Sequence, residues 1–242
     1  FILVLVAVSV LCVVAQPFLK RHGGVFYALC FAAVVVFYAA FEGILPVPVR
    51  NIMHWLMQKD MLSVAMFAVV MFIGVLPRQW RIAESLRAIR TELSIGACIL
   101  TLGHVVLYLS EFLPRAFASH SLKSNVAVSF AVALVLAALL IVLGVTSLRA
   151  VKRRMETRSW KRLQRLAYAF FGLVYLHLML MLVPSALVSN LEAQVSIAAY
   201  TTVFGTYAVC RVARAVKDRS GRRTGENDTI ALTDEPLSFS AL

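Results

Sequence analysis

Long apolar runs occupy most of the 242-residue chain, and they constrain its fold more than any other feature. Each run is close to the roughly 20 residues that an α-helix needs to cross the hydrocarbon core of a bilayer. Because backbone groups in lipid must pair within their own segment, these runs predict helices. The predicted spans are 1–19, 24–45, 61–77, 93–113, 124–148, 163–188 and 191–213.

The spans predict an all-α, polytopic membrane helix bundle of about seven transmembrane helices. Residues 1–19 form an extra N-terminal span, 24–213 a six-helix core, and 214–242 a flexible cytoplasmic tail. The chain begins at Phe1 within an apolar run, which predicts that a preceding segment was removed. Two basic residues follow that run, and this order favours a span over a cleaved signal peptide.

The net charge of +12 is concentrated in alternate connections between the spans. By the positive-inside rule these connections face the cytoplasm, so residue 1 lies outside and the C-terminus inside a plasma (inner) membrane. The charge therefore predicts a lipid bilayer as the surroundings and no nucleic acid as a partner. The basic stretches are 20–21, 78–90, 149–165 and 211–223.

Two histidines, His104 and His177, lie inside predicted spans at similar depth. His104 is eleven residues into the span 93–113, and His177 is fourteen residues into 163–188. Ionisable residues inside a membrane are functional candidates by default. Two imidazoles from different helices suit the two axial positions of a haem iron. The pattern predicts about one haem b, bound non-covalently, because the sequence contains no C-x-x-C-H motif.

A structural alternative gives each histidine a hydrogen bond to a serine or a backbone carbonyl of another helix. The chain would then be a non-redox membrane scaffold or a transporter subunit. A zinc site is disfavoured, because no carboxylate or cysteine joins the two histidines at that depth. A porphyrin would also need space between helices, and small residues are expected to provide it: Gly96, Gly103, Gly144 and Gly172.

Two stretches resemble the ferric reductase-like transmembrane domain family, and within it the YedZ/MsrQ type of haem subunit found in methionine sulfoxide reductase systems. The first is LRAIRTELSIGACILTLGHVVLYL (86–109) and the second is GVTSLRAVKRRMETRSWKRLQRLAYAFFGLVYLH (144–177). The resemblance covers about residues 24–210. The matching residues are Arg90, Leu93, His104, Tyr108, Thr146, Ser147, Trp160, Leu163, Tyr168 and His177.

The resemblance implies a membrane b-type cytochrome that carries electrons to an extracytoplasmic reductase. Related oxidases hold two stacked haems by histidines about 13 to 14 residues apart on each helix, roughly 20 Å along the axis. In this chain the corresponding positions are Arg90, 14 before His104, and Gln164, 13 before His177. The second haem is therefore expected to lack its ligand, and Arg90 with Gln164 is predicted to hold a quinone or a flavin such as FMN. The alternative is that Gln164 is a solvated interfacial residue.

Further expectations concern the outer face and the electron donor. Arg50 and Arg115 are predicted to lie near the haem propionates, since cations pair with carboxylates. Lipid-interface snorkelling of these side chains is the alternative. Electrons are expected from quinol, or from a cytoplasmic flavin reductase. The sequence contains no G-x-G-x-x-G motif, so an electron-transfer subunit is predicted and not a complete reductase.

Overall fold

The computed structural model describes residues 1–77, 79–117 and 124–233. Within these residues the chain is helical and contains no strand. The elements are α1 (Ile2–Val14), α2 (Gln16–Arg21), α3 (Gly23–Phe41), α4 (Val47–Met53), a π-helical turn (His54–Gln58), α5 (Met61–Ile73), α6 (Arg81–Ala88), α7 (Arg90–Phe117), α8 (Ser124–Ser147), α9 (Arg149–Arg154), α10 (Thr157–Gln164), α11 (Leu166–Leu187) and α12 (Leu191–Thr233).

Six segments are long and apolar enough to cross a membrane, which confirms the all-α polytopic bundle. They follow the predicted spans after the first, with boundaries that shift by up to 14 residues at one end. The segments are Gly23–Phe41, Val47–Ile73, Arg90–Arg115, Ser124–Ser147, Thr157–Leu187 and Leu191–Ser220.

The first predicted span, 1–19, differs from the structure because α1 is a shorter apolar helix of 13 residues. It ends at Val14, and after Ala15 the chain enters α2, which has Pro17 in its first turn. A proline has no backbone N–H and its ring clashes with the preceding turn, so an unbroken helix across this point is disfavoured. The apolar run is therefore divided at Ala15.

The connection between the second and third predicted spans, which contains His54 and Trp55, is mostly helical in the structure. α4, the π-helical turn and α5 together make the composite segment Val47–Ile73. A break occurs at Asp60, whose backbone is left-handed with φ of 49°. Aspartate is one of the few residues besides glycine that adopt this conformation readily. The turn redirects the chain so that α5 enters the bundle.

α5 lies at the centre of the bundle, where it packs against α1 and α7 and touches α12. On one side α3 covers α7, and on the other α11 packs between α8 and α12. Buried apolar side chains such as Ala65, Ala68 and Ile73 join α5 to these neighbours. This arrangement brings α7, α8 and α11 together around the two intramembrane histidines.

The four glycines that were expected to make room for a porphyrin serve helix packing where they have close neighbours. A Cβ atom on Gly96 would lie 2.5 Å from the Phe26 ring, and one on Gly103 would lie 2.8 Å from Val34. Gly144 faces Cys98, and Gly172 has nothing within 4 Å of a built Cβ. Gly96 and Gly103 thus allow α3 to approach α7 closely.

α12 continues to Thr233 and so extends into the predicted tail, 214–242. Residues 234–242 lie outside the described part of the chain. The flexibility of this tail stays a prediction, and so does the division into three parts.

Candidate functional site

A cavity of about 300 Å³ lies among α7, α8, α11 and α12, and both intramembrane histidines line it. Its walls are mostly apolar, which is typical of cofactor sites with a few convergent polar groups. The lining side chains are Gln58, Lys59, Met61, His104, Val105, Tyr108, Leu109, Phe112, Val126, Ser129, Phe130, Ala133, Leu134, Ala137, His177, Leu178, Met181, Leu182, Ser196 and Tyr200.

His104 projects from the middle of α7 and is half-buried. Its Nδ1 atom lies 3.4 Å from the carbonyl oxygen of Met57, at the end of the composite segment's π-helical turn. A carbonyl oxygen only accepts hydrogen bonds, so Nδ1 carries the proton and Nε2 keeps a free lone pair. The Tyr108 ring lies one helical turn away, with its centroid 4.6 Å from that of His104.

His177 is held from α8 in the same manner. Its Nδ1 atom is 3.2 Å from the carbonyl oxygen of Ser129 and 3.0 Å from the Ser129 hydroxyl. Ser129 is only 1% exposed, so these bonds are shielded from competing solvent. When Nδ1 donates to this carbonyl it carries the proton, and Nε2 is then the unprotonated nitrogen. Both imidazoles thus present the nitrogen that can bind a metal, and both are oriented through the other nitrogen.

Lys59 and Gln58 line the cavity, although the sequence analysis did not select them. The ammonium of Lys59 stacks over the Trp55 ring at 3.6 Å, and Gln58 pairs with His54 at 2.5 Å. In sequence these residues fall between two predicted spans and resemble a solvated loop. In the structure they lie at the end of the π-helical turn, just before the left-handed residue Asp60. The available sequence signal was a lysine two residues before a predicted span.

Arg50 and Arg115, the predicted propionate partners, do not line this cavity. Arg50 lines a neighbouring cavity of about 260 Å³, which shares Gln58 with the first. Arg115 forms an exposed ion pair with Glu111 at 2.9 Å, one helical turn away. Among the described residues, Lys59 is the only lysine or arginine that lines the histidine cavity.

Arg90 and Gln164 lie near the other end of the bundle and do not line the cavity either. Arg90 is exposed and begins α7. The Gln164 amide donates to the Thr146 hydroxyl at 3.0 Å. The Trp160 indole donates to the Thr146 carbonyl at 2.9 Å. Three residues of the second resembling stretch therefore meet at one place.

A multi-ligand metal site of the zinc type does not occur among the described residues. There, no three histidine, cysteine, aspartate or glutamate side chains are arranged to hold a metal ion.

Residues 59–175 match the family described as ferric reductase like transmembrane component. This match confirms the resemblance for these residues, which are similar to the ferric reductase-like transmembrane component, a family whose members usually bind haem. The matched region contains α5, α7 and α8 completely, and it ends just before His177.

The chain is also similar to an uncharacterised protein of Treponema pallidum (strain Nichols). The two are 38% identical over 223 residues, which is 90% of this chain and 61% of that protein. The chain thus spans about three fifths of the length of this curated relative. No solved structure matches the chain.

Proposed function

We propose that this chain is a b-type membrane cytochrome that carries electrons to an extracytoplasmic reductase partner. About one haem b is held per chain, with His104 and His177 as the axial ligands. The chain acts as an electron-transfer subunit of an oxidoreductase system, and the partner performs the terminal chemistry. The family match supports the redox class, and the residue roles rest on the cavity.

One observation carries the proposal: two imidazoles from different helices line one apolar cavity, each with Nδ1 held by a carbonyl oxygen. This arrangement leaves two unprotonated Nε2 atoms, the donor set that a six-coordinate haem iron requires. A carbonyl partner on the second nitrogen also raises the basicity of a ligating imidazole. The residues present therefore fit the cofactor.

When bound, haem supplies a one-electron redox centre. The chain's own residues bind and orient it. Met57 and Ser129 fix the planes and tautomers of the two imidazoles. The apolar walls exclude water, and Lys59 would pair with a propionate carboxylate at the rim of the cavity. Lys59 is the preferred partner because it lines the cavity, whereas the predicted Arg50 and Arg115 do not.

The structural alternative, a scaffold or transporter subunit, also expects the Ser129–His177 hydrogen bond, because that bond joins α8 to α11. It requires neither a cavity nor a free nitrogen on each ring. The cavity between the rings therefore favours cofactor binding.

The proposed orientation follows the positive-inside rule, with the basic helices α9 and α10 on the cytoplasmic side of the plasma (inner) membrane. The histidine cavity then lies nearer the outer face. A quinol diffusing within the bilayer is the proposed electron donor, because no histidine stands at Gln164 to hold a cytoplasmic-side haem. A cytoplasmic flavin reductase, with a flavin near Arg90 and Gln164, is the competing donor.

The primary experiment is a reduced-minus-oxidised optical spectrum of the purified protein, with haem quantified as its pyridine haemochrome. We expect a b-type spectrum and about one haem per chain. Colourless protein from haem-replete cells would contradict the cytochrome function. Two haems per chain would contradict only the single-haem assignment. The prediction that the position of Gln164 lacks a haem would then be wrong.

The donor is tested in membranes by following haem reduction after addition of a quinol analogue or of a cytoplasmic flavin reductase. Rapid reduction by the quinol analogue that is unchanged in Gln164→Ala supports the quinol route. Reduction only through the flavin reductase, lost in Arg90→Ala, would establish the competing route instead.

A further inference from the structure

Asp60 is an enclosed carboxylate at the junction between the π-helical turn and α5. Its Oδ1 atom is buried and has no hydrogen-bond partner among the described residues. Its Oδ2 atom accepts a hydrogen bond from the Thr101 hydroxyl at 3.3 Å, and the Ser63 hydroxyl in the first turn of α5 also stabilises the carboxylate. Desolvated carboxylates are costly unless they are paired, so this group requires an explanation.

The usual structural roles of such an aspartate do not apply. Asp60 precedes α5 at its N-cap, yet its side chain makes no capping hydrogen bond. No ion pair joins it to a lysine, arginine or histidine in the described part of the chain. The adjacent Lys59 directs its ammonium over Trp55 instead.

Two contacts fix Asp60 next to the proposed ligand His104. The Met57 carbonyl that orients His104 also accepts the Asp60 backbone N–H, at 3.1 Å. Thr101, which holds the carboxylate, precedes His104 by three residues and so lies one turn away on α7. Thr101 and the Met57 carbonyl therefore place the Asp60 carboxylate close to the wall of the cavity that His104 forms.

We propose that Asp60 is a counter-charge that tunes the redox centre of this cavity by lowering its midpoint potential. The inference rests on the proposed haem function. Ferric iron in a porphyrin with two neutral imidazoles carries one net positive charge, and one electron removes it. A fixed carboxylate in a low-dielectric site stabilises the ferric state more than the ferrous state. In this proposal, the positive charge that pairs with the Asp60 carboxylate is that of the ferric haem.

The test is a spectroelectrochemical titration of haem in the purified, full-length protein, comparing the wild type with Asp60→Asn. Asparagine has nearly the same shape and tolerates the left-handed backbone of this position. We expect the variant to retain haem and to shift the equilibrium toward the ferrous state by at least about tenfold, which is 59 mV for a one-electron couple.

Two further variants control this measurement. Glu111→Gln removes the same charge from α7 at an exposed ion pair, where solvent screens it, so its midpoint potential should stay close to wild type. Asp60→Glu keeps the charge and should keep the low potential.

An Asp60→Asn potential equal to that of the wild type, with haem bound, would overturn this inference alone. Loss of haem in Asp60→Asn would overturn it too, because the residue would then serve binding and not tuning. A wild-type protein without haem would overturn both this inference and the proposed function.

Discussion

The two ends of the bundle treat their polar side chains in opposite ways. At one end, the histidine half, defined by His104, Ser129 and His177, ring nitrogens remain free beside a cavity. At the other, the glutamine half, defined by Arg90, Thr146 and Gln164, the glutamine amide is bonded to a neighbouring hydroxyl. The comparison teaches that ring nitrogens without a hydrogen bond beside a cavity indicate a binding site. Polar side chains that are hydrogen-bonded to one another indicate helix packing instead.

Electrostatic pairing follows the same division. In the glutamine half, the Glu92 carboxylate is 4% exposed and meets Arg149 at 2.8 Å. In the histidine half, the enclosed Asp60 carboxylate has no such partner in the described residues. A charge without a partner next to a cavity is more informative about function than a paired one.

The largest expected effect comes from removing an imidazole in the histidine half. His104→Ala and His177→Ala should each lower bound haem by more than about tenfold, because an axial ligand is lost. Haem is measured as the pyridine haemochrome per chain. Gln164→Ala and the exposed His22→Ala should bind as the wild type does. Retention of a bis-imidazole spectrum in either single ligand variant would disprove the pairing.

Gly96→Ala tests how tightly α3 and α7 pack against each other on the glutamine side of His104. The added Cβ would lie 2.5 Å from the Phe26 ring, so we expect a loss of about 1–3 kcal/mol in the free energy of unfolding. Gly172→Ala is the matched control, since nothing lies within 4 Å of its built Cβ. Denaturation in detergent compares the two, and equal stabilities would show that this region can relax.

Arg149→Ala should produce a smaller loss, about 1–2 kcal/mol, because the enclosed Glu92 carboxylate loses its ion-pair partner. The arginine itself is 72% exposed, so the effect stays below that of breaking a fully buried pair. Arg153→Ala, also on α9 and exposed, serves as the control for charge removal in the same segment. Haem content should be unchanged in both. Haem loss in Arg149→Ala would link the two halves and weaken the comparison.

The smallest expected effect is that of Ser129→Ala. The hydroxyl bond to His177 disappears, but the backbone carbonyl at 3.2 Å still holds Nδ1. We therefore expect haem affinity to fall by less than about tenfold, at the lower limit for outer partners of metal ligands. Competition with a haem-binding apoprotein measures this affinity. A loss as complete as in His177→Ala would assign the orienting role to the hydroxyl.

The fold and family were predictable, and the details of the site were only partly so. The apolar runs predicted the membrane helices, since hydrocarbon leaves no other way to satisfy the backbone. The spacing of His104 and His177 predicted that they share a depth, and the structure brings both to one cavity. Their ligand role stays a prediction. The sequence did not single out Lys59 and Asp60, because residues that connect two predicted spans are expected to be solvated. Only the structure shows that these two residues lie beside the cavity and α7.

The sequence by itself determined the all-helical bundle and the pair of histidines at matched depth, because both follow from local composition and spacing along single helices. Its motifs also carried the resemblance to the ferric reductase-like family. Only the tertiary structure decided which groups face those histidines. Helix packing brings Met57 and Ser129 to their Nδ1 atoms and places Lys59 on the wall of the cavity. Among the described residues, it gives the enclosed Asp60 carboxylate a hydrogen bond from Thr101 and no ion pair. These are contacts between residues distant in sequence. They depend on how helices pack against one another, which the hydropathy of each separate helix does not specify.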